Sequence, residues 1–207
     1  MPDLHLVRHG ESTWNTLGLA QGHNDLAELT SRGLRQAADA AEGFRGHRVR
    51  TLYASDLRRA LQTAAAFAEV LRLPVHADAR LRERGLGALE GTAATAIGPS
   101  VTGLADGRVA DPDARPPRGE SVRDLYLRAA GFADELTANP DDGGDDDGDV
   151  VVVAHGGTLR VLHAYLHGVP VEEMAWEPLE NARILRIPGP GSGSGIGPPA
   201  KSRGGSR

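Results

Sequence analysis

Leu4-His5-Leu6-Val7-Arg8-His9-Gly10-Glu11-Ser12-Thr13-Trp14-Asn15 is a short apolar run that stops abruptly on a cation, an imidazole and a glycine. Leu4 to Val7 have the composition of a strand, and Gly10 supplies a flexible turn directly after it. A strand feeding such a turn delivers its last side chains to the carboxyl edge of an α/β sheet, where the ligands of these folds sit. That reading places Arg8 and His9 together at a sheet edge, with His9 at the centre of a phosphate site.

A second stretch has the same shape. Val150 to Ala154 is an unbroken apolar run, as expected of a strand buried on both faces of a parallel sheet, and it stops at His155-Gly156-Gly157. If the two strands are neighbours, the two imidazoles face one another.

Composition sets the outer bounds. The chain has 207 residues, enough for one domain with a full core and too few for two large ones. A net charge of -5 gives no basic face, so nucleic acid is not expected as a partner. The absence of cysteine excludes disulfides, zinc–thiolate sites and thiol catalysis. Met1-Pro2-Asp3 runs straight into the first strand, so neither a signal peptide nor a transmembrane span is expected, and a cytoplasmic location is the default. Only one of the 23 basic residues is a lysine, Lys201.

The remaining chain alternates helix and strand signals. Thr30 is placed to cap a helix over Ser31 to Phe44, with Leu34, Ala37, Ala38, Ala41 and Phe44 on its apolar side. Arg50 to Ala54 reads as a strand, and Ser55-Asp56 as caps for a helix reaching Leu71, with Leu57, Leu61, Ala64, Ala65 and Ala68 at helical spacing. Leu73-Pro74-Val75 opens a short strand, and Leu81 to Gly91 is a glycine-punctuated loop. Residues 92–120, rich in proline, read as a lid-like excursion over the sheet edge. Ser121 caps a helix over Val122 to Leu136, a further helix runs from Thr158 to His167, and Asn181 to Ile187 is a last strand at an edge. The acidic run Asn139 to Asp149 lacks the spaced ligands and closing glutamate of a calcium loop and reads as a solvated linker. Residues 188–207, dominated by glycine, proline and serine, are expected to be disordered. The alternation predicts a three-layer α/β/α sandwich with a mostly parallel central sheet, occupying residues 1–187.

A neutral imidazole is a competent nucleophile toward phosphorus when one ring nitrogen is free and the other is held by a hydrogen bond. Arg8 offers a planar donor fork to phosphoryl oxygens, and backbone N–H groups after Gly10 and Gly156 add further donors. Phosphoryl transfer is mainly positioning plus charge stabilisation, so cations around a nucleophile suffice, and neither metal nor cofactor is expected.

On these residues the chain resembles the histidine phosphatase superfamily, the phosphoglycerate mutase-like fold, from Leu4 to Ile187 and with five motifs in the family's order. Arg8-His9-Gly10-Glu11-Ser12-Thr13-Trp14-Asn15 resembles the family signature, which implies His9 as the phosphorylated nucleophile, Arg8 as a phosphate clamp and Asn15 as a pocket residue. Ala20-Gln21-Gly22 is similar to the loop whose glutamine side chain and glycine N–H contact phosphate, and the 55–64 segment to the helix that makes Arg59 the second phosphate arginine. Leu81-Arg82-Glu83 and Gly87 to Gly91 resemble the loop supplying the acid/base carboxylate, which implies Glu83. Val152 to Gly157 resembles the segment holding the second histidine, His155, with Gly156 lining the site. Two rim features differ from the usual pattern: the loop between Gly22 and Leu29 is one residue longer, and Glu28 replaces a proline.

The resemblance implies phosphomonoester hydrolysis through phosphohistidine on a small phosphate ester, by a monomer or homodimer. The family's mutases carry an additional lysine after the carboxylate loop, where this chain has Thr92-Ala93-Ala94-Thr95-Ala96, and the excursion before Ser121 is short. Hydrolysis is therefore expected over a cofactor-dependent phosphoglycerate mutase, and either over a non-catalytic phospho-ligand binder. Arg118 is a candidate to meet an anionic substrate; Trp14 and Trp176 are the only tryptophans, each readable as core.

Overall fold

The computed structural model describes residues 2–138 and 148–189; most of the acidic run and of the glycine-rich tail lies outside the described residues. The elements, in order, are β1 (Leu4–Arg8), α1 (Thr13–Thr16), α2 (Ser31–Glu42), β2 (Val49–Ala54), α3 (Arg58–Leu71), β3 (Val75–Ala77), α4 (Pro99–Thr102), β4 (Leu104–Ala105), β5 (Arg108–Val109), α5 (Val122–Ala138), β6 (Asp149–Ala154), α6 (Gly156–Leu166) and β7 (Ile184–Ile187). The main sheet has the order β3-β2-β6-β1-β7, parallel except for β7, and β4 with β5 makes a separate two-stranded ribbon. This is the predicted three-layer, mostly parallel α/β/α architecture.

Apolar runs on both sides of the sheet follow from burial on both faces. Leu4, Leu6, Val150, Val152 and Ala154 point toward Leu125, Phe132, Leu159 and Leu162 of α5 and α6. Val7, Leu52, Ala54, Val151 and Val153 point the other way, toward Ala60, Ala64 and Phe67 of α3 and Ala41 and Phe44 at the end of α2. Period-two alternation within one continuous apolar strand therefore serves two cores at once.

Two helix faces differ from the sequence reading. In α2 the buried residues are Gly33, Ala37 and Ala41, whereas Leu34 is 49% exposed and Ala38 also faces outward. The helix is rotated because Gly33 lies so close to the Glu11 backbone that a Cβ there would collide with the Glu11 carbonyl oxygen. In α3 the buried stripe is Arg59, Ala60, Thr63, Ala64 and Phe67, with Ala65 exposed. The cap of α3 also differs: Leu57 is the N-cap residue, without a side-chain cap of its own. The Arg58 N–H donates instead to Asp25 Oδ1 of the longer loop (2.5 Å), Ser55 is shared with a histidine, and Asp56 binds Arg82. Asp25 and Glu28, which meets Arg58 at 3.4 Å, thus tie this lengthened loop to the start of α3.

Among the described residues no helix is long and apolar enough to cross a membrane. Phe67 is fully buried and meets Phe44 edge-on at 5.4 Å. Phe67→Ala is expected to cost about 3–5 kcal/mol in urea unfolding, the range for deleting a buried ring.

Candidate active site

The register of β1 on β6 builds the site. Arg8 lies opposite Ala154, and the pairing continues one step further, with His9 N–H donating to the Ala154 carbonyl at 3.0 Å. The next residues, His9 and His155, therefore leave adjacent strands side by side, with ring centroids 5.2 Å apart. Both rings are buried.

Each ring has a defined role in hydrogen bonding. His9 Nδ1 donates to the Gly10 carbonyl at 2.7 Å; since a carbonyl only accepts, the proton is on Nδ1 and Nε2 carries the lone pair. Burial, then the Arg59 and Arg8 charges, push the His9 pKa well below the ordinary value, so the ring is neutral. His155 Nε2 meets Ser55 Oγ at 2.8 Å. Ser55 Oγ also accepts from Leu57 N–H (3.3 Å), so this hydroxyl ties the His155 ring to the start of α3. His155 Nδ1 has no hydrogen-bond partner, and burial followed by Arg59, His9 and Arg8 holds this ring neutral as well.

Two arginines complete the inner wall. Arg8 Nη1 donates to the Leu179 carbonyl, and Arg59 Nη1 and Nη2 to the Asn24 and Gly22 carbonyls at 3.0 and 2.9 Å. Their Nε atoms are buried without partners. Desolvation lowers the pKa of both, that of Arg59 to about 10, with the Glu83 charge working the other way. Three buried polar atoms without partners, on Arg8, Arg59 and His155, would be costly in a finished core; around a neutral imidazole they define an anion site.

Glu83 faces them from the next loop. Its carboxylate accepts from Arg84 N–H (2.9 Å) and Gly157 N–H (3.1 Å), and a Cβ on Gly157 would collide with it, which accounts for glycine there. The loop is held from behind by Arg128, whose guanidinium donates to the carbonyls of Arg80, Arg82 and Glu83 and to both oxygens of Glu120. Burial works to raise the Glu120 pKa, but bonds from His23, Arg128 and the Gly85 N–H outweigh it and hold the carboxyl at about 2. Arg84 donates to the carbonyls of Glu120, Thr102 and Ala114, stitching the 92–120 segment to the Glu83 loop.

The result is a cavity of about 260 Å³ lined by Arg8, His9, Gln21, Gly22, Arg59 and Glu83 on its floor, with Leu86, Ala94, Ile97, Leu104, Arg160 and Trp176 above. Gln21 Oε1 accepts from Ser12 Oγ at 3.0 Å. Such an arrangement can hold a phosphoryl group against His9 Nε2 with a carboxyl group on the opposite side.

The chain matches the histidine phosphatase superfamily (branch 1) over residues 4–194. It belongs to that superfamily. This histidine phosphatase is 33% identical over 191 residues to a probable phosphoglycerate mutase of Proteus mirabilis, covering 90% of this chain and 85% of the relative. It is 37% identical over 171 residues to a glucosyl-3-phosphoglycerate phosphatase of Mycobacterium tuberculosis, covering 81% and 76%. The solved structure of a mycobacterial glucosyl-3-phosphoglycerate phosphatase complexed with VO3 superposes with a TM-score of 0.77 at 34% identity, covering 90% of this chain and 92% of the other.

The sequence-predicted residues do not all line the cavity of this histidine phosphatase: Asn15, His155 and Gly156 are off its lining, and His155 stands beside the His9 ring at 5.2 Å. Asn15 stands behind the cavity wall: Asn15 Oδ1 accepts from Ser12 and from Asn181 Nδ2, closing the turn after β1. Of the N–H groups after Gly10 and Gly156, that of Glu11 is taken by Gln36 Oε1 (2.8 Å) and that of Gly157 by Glu83, so neither is a free donor. Arg118 is exposed and off the cavity. Trp176 is on the cavity wall, whereas Trp14 is not. Sequence assigns Ser55 only a capping role and Arg160 none; Arg160 follows Gly156 at helical spacing of four, the one available signal that both share a face. Among the described residues only Asp3, His5 and Asp149 cluster as possible metal ligands, at the amino ends of β1 and β6, where His5 pairs with Asp149 (2.9 Å) and Asp3 with Arg186.

Because both imidazoles have folded pKa values below 6.5, the unfolded chain binds protons that the folded chain does not, and stability falls as pH drops through 6.5. Each histidine contributes a slope of up to about 1.4 kcal/mol per pH unit. His9→Asn is expected to flatten the slope by about that amount between pH 6.5 and 5, read from urea unfolding midpoints. An unchanged slope would mean that His9 is charged in the fold.

Proposed function

We propose that this histidine phosphatase is a phosphomonoesterase that hydrolyses a small phosphorylated metabolite through a phosphohistidine intermediate. The observation that carries the reading is the neutral His9, with its proton on Nδ1 and the buried, unpartnered Arg8 Nε, Arg59 Nε and His155 Nδ1 around it. His9 Nε2 attacks phosphorus in line. The bond to the leaving oxygen breaks as Glu83, in its acid form, gives that oxygen a proton. Glu83 as carboxylate then takes a proton from water, whose oxygen displaces His9 and releases inorganic phosphate. Arg8, Arg59 and His155 hold the equatorial oxygens throughout, with Gln21 and Gly22 lining the cavity beside them. The buried cations supply the charge neutralisation that a metal gives elsewhere, so the reaction is independent of metal.

Residues 1–187 form the catalytic domain in this reading, and 92–120 its substrate-selecting wall. Hydrolysis is supported over mutation of phosphoglycerate by the lack of a lysine among the cavity residues. The similarity to the Proteus protein makes isomerisation the competing activity.

His9→Ala is expected to abolish phosphate release and the acid-labile phosphoenzyme trapped from a labelled substrate; retention of both would refute the mechanism. Arg59→Ala is expected to lower kcat by roughly a hundred- to a thousandfold. Glu83→Gln should slow alkyl phosphates by about a hundredfold or more and aryl phosphates far less, because an aryl oxide leaves without a proton. EDTA is expected to leave wild-type turnover unchanged, and 3-phosphoglycerate with its bisphosphate primer should release phosphate faster than it isomerises.

A further inference from the structure

Arg160 is unlike the other cavity arginines, Arg8, Arg59 and Arg84. Arg8 gives Nη1, and Arg59 both Nη1 and Nη2, to backbone carbonyls, and the Nε atoms of both have no partner. Arg160 does the reverse: its Nε donates to the Glu177 carbonyl at 2.5 Å, and among the described residues neither Nη1 nor Nη2 has a hydrogen-bond partner and no carboxylate pairs with the group. Its guanidinium lies over the Trp176 ring at 5.2 Å, and Trp176 is fixed in turn by its N–H donating to the Gly107 carbonyl (2.6 Å). A Cβ placed on Gly156 would be 3.0 Å from Arg160 Nη1 and 3.6 Å from Arg8 Nε, so the free end of Arg160 sits beside the phosphoryl site. Stacking and the Nε bond fix the orientation of the fork, and what remains is a pair of N–H donors with the geometry of a carboxylate.

The rest of the upper wall narrows the choice. Ala94, Ile97, Leu104 and Trp176 offer apolar surface, and Arg84 is spent on three carbonyls, so a sugar or nucleoside with several hydroxyl groups would lose its hydrogen bonds there. A cavity of about 260 Å³ also suits a small ester.

We propose that Arg160 is the specificity residue of this enzyme and that it binds a carboxylate on the substrate, making small phosphorylated hydroxy acids and amino acids the substrate class. The proposal rests on the phosphatase reading for its turnover arm only. The test uses two matched pairs that differ at the carboxylate: 3-phosphoglycerate against glycerol 3-phosphate, and O-phosphoserine against O-phosphoethanolamine. Wild type is expected to prefer the carboxylated member of at least one pair in kcat/KM by about 10- to 150-fold, the range for a charge-assisted bond. Arg160→Met, which keeps a stem over Trp176, should remove that preference through KM with little change in kcat, leaving the carboxylate-free partner within about threefold. Arg160→Lys, with charge but no fork, should fall between. The same preference is then measured as affinity in His9→Ala, with and without Arg160→Met, where no turnover is needed. Preference in binding without turnover would retain Arg160 and refute the phosphatase reading. Turnover without a carboxylate preference in either pair overturns the Arg160 assignment, and so does an equal loss on both members of a pair, which would make Arg160 another phosphoryl clamp.

Discussion

The pairing of β1 with β6 is the constraint on which the site depends. Two parallel strands in this register end at the same level, and each is followed by histidine and glycine, so a distance of 5.2 Å between the rings is a property of the backbone ladder. Side-chain packing then only has to keep the rings neutral. It does so with the hydrophobic residues that also hold the sheet, because Val7, Val153 and Ala154, in the strands that lead to the histidines, have no exposure.

Neutral histidines next to buried arginines form a site that is poor in internal compensation. Cations are desolvated, donors lack partners, and Glu83 is the one carboxylate on the cavity wall. In the empty protein this arrangement lowers stability; a dianionic phosphoryl group offsets it by supplying the missing acceptors. Stability and affinity are therefore opposed at the same few atoms. The surrounding network of Arg128, Glu120 and His23 is instead fully satisfied, which keeps the Glu83 loop rigid while the cavity beside it remains unsatisfied.

Much of this was legible in the sequence. Apolar runs ending in Arg8-His9-Gly10 and His155-Gly156-Gly157 identify the two central strands and the edge at which they meet, and motif order places Arg59 and Glu83 with them. What periodicity could not read was set by contacts across the chain. Leu34 is turned outward because Gly33 must approach Glu11, α3 is met by Asp25 from a distant loop, and Asn15 is held back by Asn181, 166 residues away. Arg160 has the appearance of a surface residue on a helix until Trp176 and the Glu177 carbonyl, both beyond that helix, are brought over it.

Arg84 grips its neighbours by their main chain alone: it donates to the carbonyls of Glu120, Thr102 and Ala114 and to none of their side chains. Its hold is therefore blind to sequence at those positions. Residues 92–120 can exchange one side chain for another, and with it one ligand for another, while the seam that joins them to the catalytic loop stays closed. The side chains of the wall and the chemistry of the catalytic loop are thus joined at a single guanidinium group, through main chain alone.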